Sequence, residues 1–210
     1  TPFSVSPLVT SLDPFNDGSL YSKYTFEGNG NDLKNNHNGS VSNVTFSEGK
    51  FGQCMITNED VQAGLNTGIN PSTWKNNVRS IGFLVYRVDN DNLSLGGNHA
   101  LTQTQDTVLF DINNDYVRYY QIEDNTHTAS TIFTSNSTIP VGEWSYIMAT
   151  WTGNNIGDTA SIYINGVLSN STTLSSNFSF NEASSFSIGN IGVYNSKSGK
   201  FDTVDLFNKA

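Results

Sequence analysis

Residues 161–169, "SIYINGVLS", constrain this chain more than any other stretch. Isoleucines alternate with polar or aromatic residues up to Asn165-Gly166, and an apolar pair follows the turn. Asn-Gly supplies the two positive φ angles of a type I′ turn, whose twist matches that of the strands it joins. A hairpin of this kind fixes register, and a one-residue slip would turn every side chain to the wrong face.

The same period of two runs along the chain. Leu20, Tyr24 and Phe26 fall on one face, with Lys23, Thr25 and Glu27 on the other, and Val44 and Phe46 alternate with Thr45. "SIGFLVYRV" (80–88) and "EWSYIMATW" (143–151) are apolar on both faces, as strands inside a sheet are. "TVLFDI" (107–112) and "YVRYYQI" (116–122) flank "NND", which predicts a second hairpin. "SFSIGNIGVY" (185–194) and "FDTVDLF" (201–207) predict the closing strands. "NPSTWKNN" (70–77) predicts one helical turn, and no segment has the period of a long amphipathic helix. "DNDN" (89–92) and "IEDN" (122–125) read as turns, where Asp and Asn tolerate left-handed backbone. Many short strands joined by Gly, Asn and Ser predict an all-β, two-sheet antiparallel sandwich or jelly roll.

Residues 1–18 hold three of the five prolines and show no period, so they read as an extended arm or linker before a domain at 19–210. Phe3, Val5, Leu8, Val9 and Phe15 make that arm apolar enough to pack on its own domain or on a neighbour. The start at Thr1 and the stop at Ala210 suggest a processed product or an excised domain.

Charge excludes several classes. With 10 basic and 19 acidic residues the formal charge is -9, which argues against nucleic acid and against anionic membranes. No apolar run approaches the length of a membrane span, so no membrane insertion is expected. Cys54 is the single cysteine. Beside Met55 and Ile56 it reads as a small buried hydrophobe. The N-x-[ST] triplets at Asn38, Asn43, Asn92, Asn136, Asn170 and Asn177 are what an Asn/Ser/Thr-rich chain generates by chance.

Five segments in order carry a resemblance. "LYSKYTFEGNGND…", "GKFG" (49–52), "VGEWSYIMATWTG" (141–153), "ASIYINGVL" (160–168) and "GKFDTVDLFNKA" (199–210) resemble the laminin G-like/concanavalin A-like jelly roll over residues 19–210. The lead-in "DPFNDGS" (13–19) is similar to the segment before such domains in tailed-phage structural proteins. The resemblance implies a two-sheet jelly roll whose curved sheet often binds glycans. Trp151 and Tyr119 are the aromatic residues that would face a sugar, the alternative being ordinary packing beneath a long loop.

The resemblance also bears on "FEGNGNDLKNNHNG" (26–39), a segment crowded with short oxygen-bearing side chains. In similar domains this segment lies beside the last strand, and both supply calcium ligands. The matching positions are Glu27, Asn29, Asp32 and Asp202, with Glu27 standing where Asp is more common. Calcium takes about six to eight oxygens at about 2.3–2.6 Å. The alternative is that Glu27 and Asp202 are exposed carboxylates at strand ends. His37 is an unsuitable ligand for a cation that prefers oxygen.

The fold also carries glycoside hydrolases, whose retaining members often place carboxylates in E-x-D-x-x-E on one strand. That pattern is absent here, and Glu123 and Asp124, being adjacent, would point to opposite faces. His37, His99 and His127 lie in turn-like segments without metal spacing. The chain is therefore expected to be non-enzymatic. The first expectation is a virion structural or display domain, of phage decoration or tail-fibre type, that binds a surface glycan and assembles with other virion proteins or copies of itself. The alternative is a carbohydrate-binding module of a secreted bacterial enzyme or adhesin. Both place the domain at a virion surface or outside the cell.

Overall fold

The computed structural model describes residues 13–58, 62–98, 108–123, 128–175, 177, 185–190 and 198–210, without the side chains of 121–132 and 190. The elements are β1 (Leu20–Tyr24), β2 (Ser40–Ser42), β3 (Val44–Glu48), β4 (Gln53–Thr57), β5 (Ala63–Asn66), α1 (Pro71–Asn77), β6 (Ser80–Arg87) and β7 (Leu93–Gly97). They continue as β8 (Val108–Asn113), β9 (Tyr116–Glu123), β10 (Thr128–Thr138), β11 (Trp144–Trp151), β12 (Thr159–Ile164), β13 (Val167–Thr173), β14 (Ser187–Asn190) and β15 (Gly199–Phe207). His99, His127, Asp124, Asn125 and residues 191–194 lie outside the described residues.

The strands form two antiparallel sheets. The first runs β13–β12–β11–β6–β15–β4–β3, and the second β10–β9–β8–β7–β14–β5–β2. β15 is long enough to carry two neighbours along one side, β4 at Lys200 and Phe201 and then β1 from Val204 to Phe207. First and last strands are thus adjacent, as the resemblance implies. Both expected hairpins form. Asn114 and Asp115 (φ 47 and 71) join β8 to β9, and Asn165 and Gly166 (φ 51 and 81) join β12 to β13. "DNDN" joins β6 to β7, with Asp89 accepting the Asp91 N–H at 2.9 Å.

The inner faces meet in one core. Ile81, Phe83 and Val85 of β6 and Ile147, Ala149 and Trp151 of β11 come from one side; Val108, Phe110 and Ile112 of β8 and Val117 and Tyr119 of β9 come from the other. Each such large side chain contributes roughly 1.5–3 kcal/mol through burial. The short helix plugs one end. Asn70 caps it by accepting the Thr73 N–H at 2.8 Å, and Pro71 occupies its first turn. Trp74 then stacks on Phe186 at 4.0 Å and Trp151 at 5.8 Å between ring centroids. Cys54 is fully buried, its thiol directed at the Glu48 carbonyl.

Within the stretch expected as an arm, residues 1–18, Asp13–Gly18 packs on the domain. The Asp13 carboxylate accepts the N–H groups of Phe15 and Gly18, at 3.0 and 2.8 Å. That turn lays Phe15 edge-on against Phe207 of β15, 5.3 Å between centroids, and Lys209 closes it with an ion pair to Asp17. The "DPFNDGS" segment therefore has a packing role in this chain. Residues 1–12 lie outside the described residues.

Candidate functional site: the outward face of β8 and β9

The four expected calcium ligands are placed in two groups. Asp32, 1 % exposed, centres the Asn-rich loop after β1. Its Oδ1 accepts the N–H groups of Lys23 and Lys34, and its Oδ2 those of Asn36 and His37, all within 2.8–3.1 Å. Asn38 Oδ1 accepts the Asp32 N–H, and the Tyr24 hydroxyl donates to the His37 carbonyl. Gly30 and Gly39 close the loop against Leu65, whose Cδ1 would lie 2.3 and 2.5 Å from a Cβ at those positions.

Glu27 and Asp202 grip a different feature, the Gly49–Gly52 turn between β3 and β4. Asp202 Oδ2 accepts the Lys50 and Phe51 N–H groups at 2.5 and 2.8 Å, and its Oδ1 accepts the Thr203 hydroxyl. The Glu27 carboxylate accepts the Gln53 N–H. Asn29 Oδ1 accepts the Asn31 N–H, and its amide donates to the Glu27 carbonyl. The alternative of exposed strand-end carboxylates fits Glu27, which is exposed, but not Asp202, which is 1 % exposed.

These oxygens meet hydrogen-bond donors, the complement of what a cation requires. Asp32 spends both carboxylate oxygens on four backbone N–H groups, whereas Glu27 and Asp202 keep acceptor capacity beyond their N–H and hydroxyl partners. Among the described residues no group of three or more His, Cys, Asp or Glu side chains is placed to hold a metal.

The aromatic expectation is corrected by burial. Trp151 and Tyr119 are each 2 % exposed, facing the space between the sheets. Trp151 stacks between Trp74 and Phe110, and Tyr119 lies 5.0 Å from Phe110 with Phe133 edge-on at 5.6 Å. Burial raises the Tyr119 hydroxyl pKa well above the ordinary range. A saccharide in solvent reaches neither ring.

The residues turned outward are their neighbours in sequence. Along β9 the outer face carries Tyr116, Arg118 and Tyr120, with Val117 and Tyr119 facing in. Arg118 pairs across to Asp111 of β8 with two parallel bonds, Nε to Oδ1 at 2.8 Å and Nη2 to Oδ2 at 2.5 Å. The guanidinium carbon also sits 4.8 Å from the centroid of the Tyr120 ring. Partial burial opposes the Arg118 charge, but the hydrogen bond and charge of Asp111 more than offset it and raise the Arg118 pKa. Tyr116 is 38 % exposed at the hairpin end of this stripe.

The hairpin that presents the stripe is anchored from the other sheet. Arg87 of β6, 1 % exposed, donates from Nη1 to Asp115 Oδ1 at 2.8 Å and to the Ile139 carbonyl at 2.7 Å. Ile139 N–H in turn donates to the Asp115 carbonyl at 2.7 Å. A buried guanidinium thus holds the Asn114-Asp115 turn in place.

The first sheet also has an aromatic outer face. Trp144, Tyr146 and Met148 of β11 are half-buried there beside Leu84 and Tyr86 of β6. These rings cover one another: Trp144 lies 5.5 Å from Tyr86, the Lys200 ammonium sits over Tyr86 at 5.3 Å, and Tyr146 lies over Gly82. This face also carries an acid–base pair, Lys23 with Asp205 at 2.7 Å beside Tyr146, but Asp205 is only 6 % exposed there.

One outer face of the two-sheet jelly roll thus carries an aromatic stripe with a fixed hydrogen-bonding pair. The family is shown directly. The model of the concanavalin A-like lectin/glucanases superfamily matches residues 71–210, and the chain belongs to that superfamily. No curated protein matches it. Among solved structures it is similar to domain 4 of an extracellular arabinanase from Geobacillus stearothermophilus, solved with arabinotriose, at 17 % identity and TM-score 0.66 over 90 % of this chain and 92 % of that one. It is also similar to the binding domain of Paraclostridial Mosquitocidal Protein 1 (15 %, TM-score 0.71) and the botulinum neurotoxin type G receptor-binding domain (16 %, TM-score 0.62). Each of those two alignments covers 91 % of this chain, which spans about half of the toxin chains, 49 % and 48 %. At these identities the likeness is one of fold. No helix among the described residues is long and apolar enough to cross a membrane.

Proposed function

We propose that this domain is a non-catalytic glycan-binding module working outside the cell, and that it holds its saccharide on the outward face of β8 and β9. The observation that carries the reading is the Tyr116–Arg118–Tyr120 stripe with Asp111 locked to Arg118. Aromatic rings take the C–H faces of a sugar, and a fixed polar pair sets the orientation of its hydroxyls. The arabinanase domain solved with arabinotriose and the toxin receptor-binding domains support a binding role on this fold. Asp111 is committed to an ion pair, which suits positioning better than nucleophilic or general-base work. Calcium has no part in this reading.

The module setting is favoured over the virion setting because a similar structure, aligned over 92 % of its own length, is domain 4 of an extracellular arabinanase. Display on a phage particle, with copies of itself or other virion proteins, is tested by co-purification with particles.

The test of binding is a glycan array followed by calorimetry with wild type, Tyr120→Ala, Tyr116→Ala and Trp144→Ala. Loss of binding in the two tyrosine variants, with Trp144→Ala unchanged, is the expected result. Loss only in Trp144→Ala would move the site to the other sheet. An array without any ligand would end the glycan reading.

A further inference from the structure

The reading above leaves open which saccharides the face accepts, and the ion pair on it decides that question. An exposed arginine beside an aromatic ring would ordinarily invite carboxylates, sulfates or phosphates, because its planar fork matches them in bidentate fashion. Arg118 is not in that state. Its Nε and Nη2 are already bound in parallel to both oxygens of Asp111, a carboxylate supplied by the neighbouring strand. Hairpin register fixes that partner, since Arg118 lies directly opposite Asp111 across β8 and β9.

We propose that this face selects neutral saccharides and discriminates against uronate-bearing, sialylated and sulfated ones, because Asp111 occupies the guanidinium an anionic sugar would need. The inference rests on the glycan-binding reading and gives it a ligand class. An acidic sugar would meet two obstacles. It would have to displace Asp111 from Arg118, or else place a second anion beside Asp111. The chain's net charge of -9 adds a weaker, longer-range repulsion. A neutral sugar meets neither. Its hydroxyls can donate to Asp111 and accept from Arg118, whose guanidinium carries five N–H groups of which the pair uses two. Its apolar face lies against Tyr120 or Tyr116.

Asp111 thereby takes a specific role. It is a gate against anions, and its removal should open the face to them. Asp111→Asn keeps the shape of the side chain, removes the charge and releases Arg118.

The experiment compares matched pairs of oligosaccharides that differ only in oxidation of one primary hydroxyl to a carboxylate, titrated into wild type, Asp111→Asn and Arg118→Gln. Wild type is expected to bind the neutral member at least about tenfold more tightly. Asp111→Asn should narrow or invert that ratio, and its new affinity for the acid should fall with salt. Arg118→Gln removes the guanidinium while keeping the Asp111 carboxylate and should widen the ratio. It keeps the inference testable if Asp111→Asn melts early. Equal or tighter binding of the acidic member by wild type overturns the inference while leaving the glycan reading intact, as does an unchanged ratio in both variants. Absence of any binding overturns the glycan reading itself and the inference with it.

Discussion

Tyr119 and Tyr120 are consecutive residues on opposite sides of one sheet. Tyr119 is buried against Phe110 and Phe133, whereas Tyr120 lies outside beneath the Arg118 guanidinium. Their substitutions should separate stability from binding. Tyr119→Ala opens a cavity in the core and should cost about 3–5 kcal/mol. Tyr120→Ala should cost less than about 1.5 kcal/mol and remove glycan affinity. Urea melts set beside calorimetry check both, and equal destabilisation by the two variants would contradict the assigned faces.

The Asp32 carboxylate organises its loop through four backbone N–H groups. Asn at this position turns one acceptor into a donor facing two N–H groups, at a cost of roughly 2–4 kcal/mol. The same bonding predicts that folding does not need calcium. Millimolar calcium or a chelator should shift the melting temperature by less than about 1 °C. A rise of several degrees with calcium would show native-state binding by mass action and refute the backbone-only account.

The glycines of "GKFG" are required by what lies against them. A Cβ at Gly49 would sit 2.4 Å from Asp202 Oδ2 and 3.0 Å from Cys54 Cβ. Gly68 has a positive φ of 71° but nothing within 4 Å. Gly68→Ala should therefore cost about 1 kcal/mol from backbone conformation alone, and Gly49→Ala roughly 2–3 kcal/mol from displacing Asp202. Thermal melts of the two variants give the order, and a reversal would mean that Asp202 is not fixed on this turn.

Asp205 introduces a pH dependence of known sign. Burial raises its pKa above the ordinary 3.8, with the Lys23 ammonium at 2.7 Å opposing that rise. A carboxyl whose folded pKa is raised binds its proton more tightly in the folded state. Its contribution is therefore most favourable below the unfolded pKa and is lost as pH rises through the folded one. Relative to Asp205→Asn, wild type should lose stability as pH rises from about 4, near the unfolded value, toward neutrality. Denaturant titrations at both ends of that window measure the difference. A wild type that gains on the variant with rising pH would show that Lys23 outweighs burial.

Arg87 carries its charge 1 % exposed, with Asp115 as its acidic partner. Asp115→Ala strands part of that charge and frees the β8–β9 turn. A loss of about 2–4 kcal/mol is expected, together with weaker glycan binding through a displaced Tyr116. Stability and affinity that both remain at wild-type values would remove Arg87 from the support of the site.

By itself the sequence determined whatever is local. The alternation of residues and the Asn-Gly and Asn-Asp turns dictated hairpins, Asn70-Pro71 dictated a capped helical turn, and the ordered motifs dictated the family. The tertiary structure decided which face of each strand is inside. A period of two is the same pattern read from either side, and only the opposing sheet breaks the tie, burying Tyr119 and Trp151 and leaving Tyr120 and Trp144 outward. It also decided what the carboxylates hold. Asp202 finds its donors at Lys50 and Phe51, about 150 residues earlier, because the last strand lies beside the β3–β4 hairpin. The amide hydrogens waiting there, invisible in any composition or spacing, make these carboxylates clasps for the backbone.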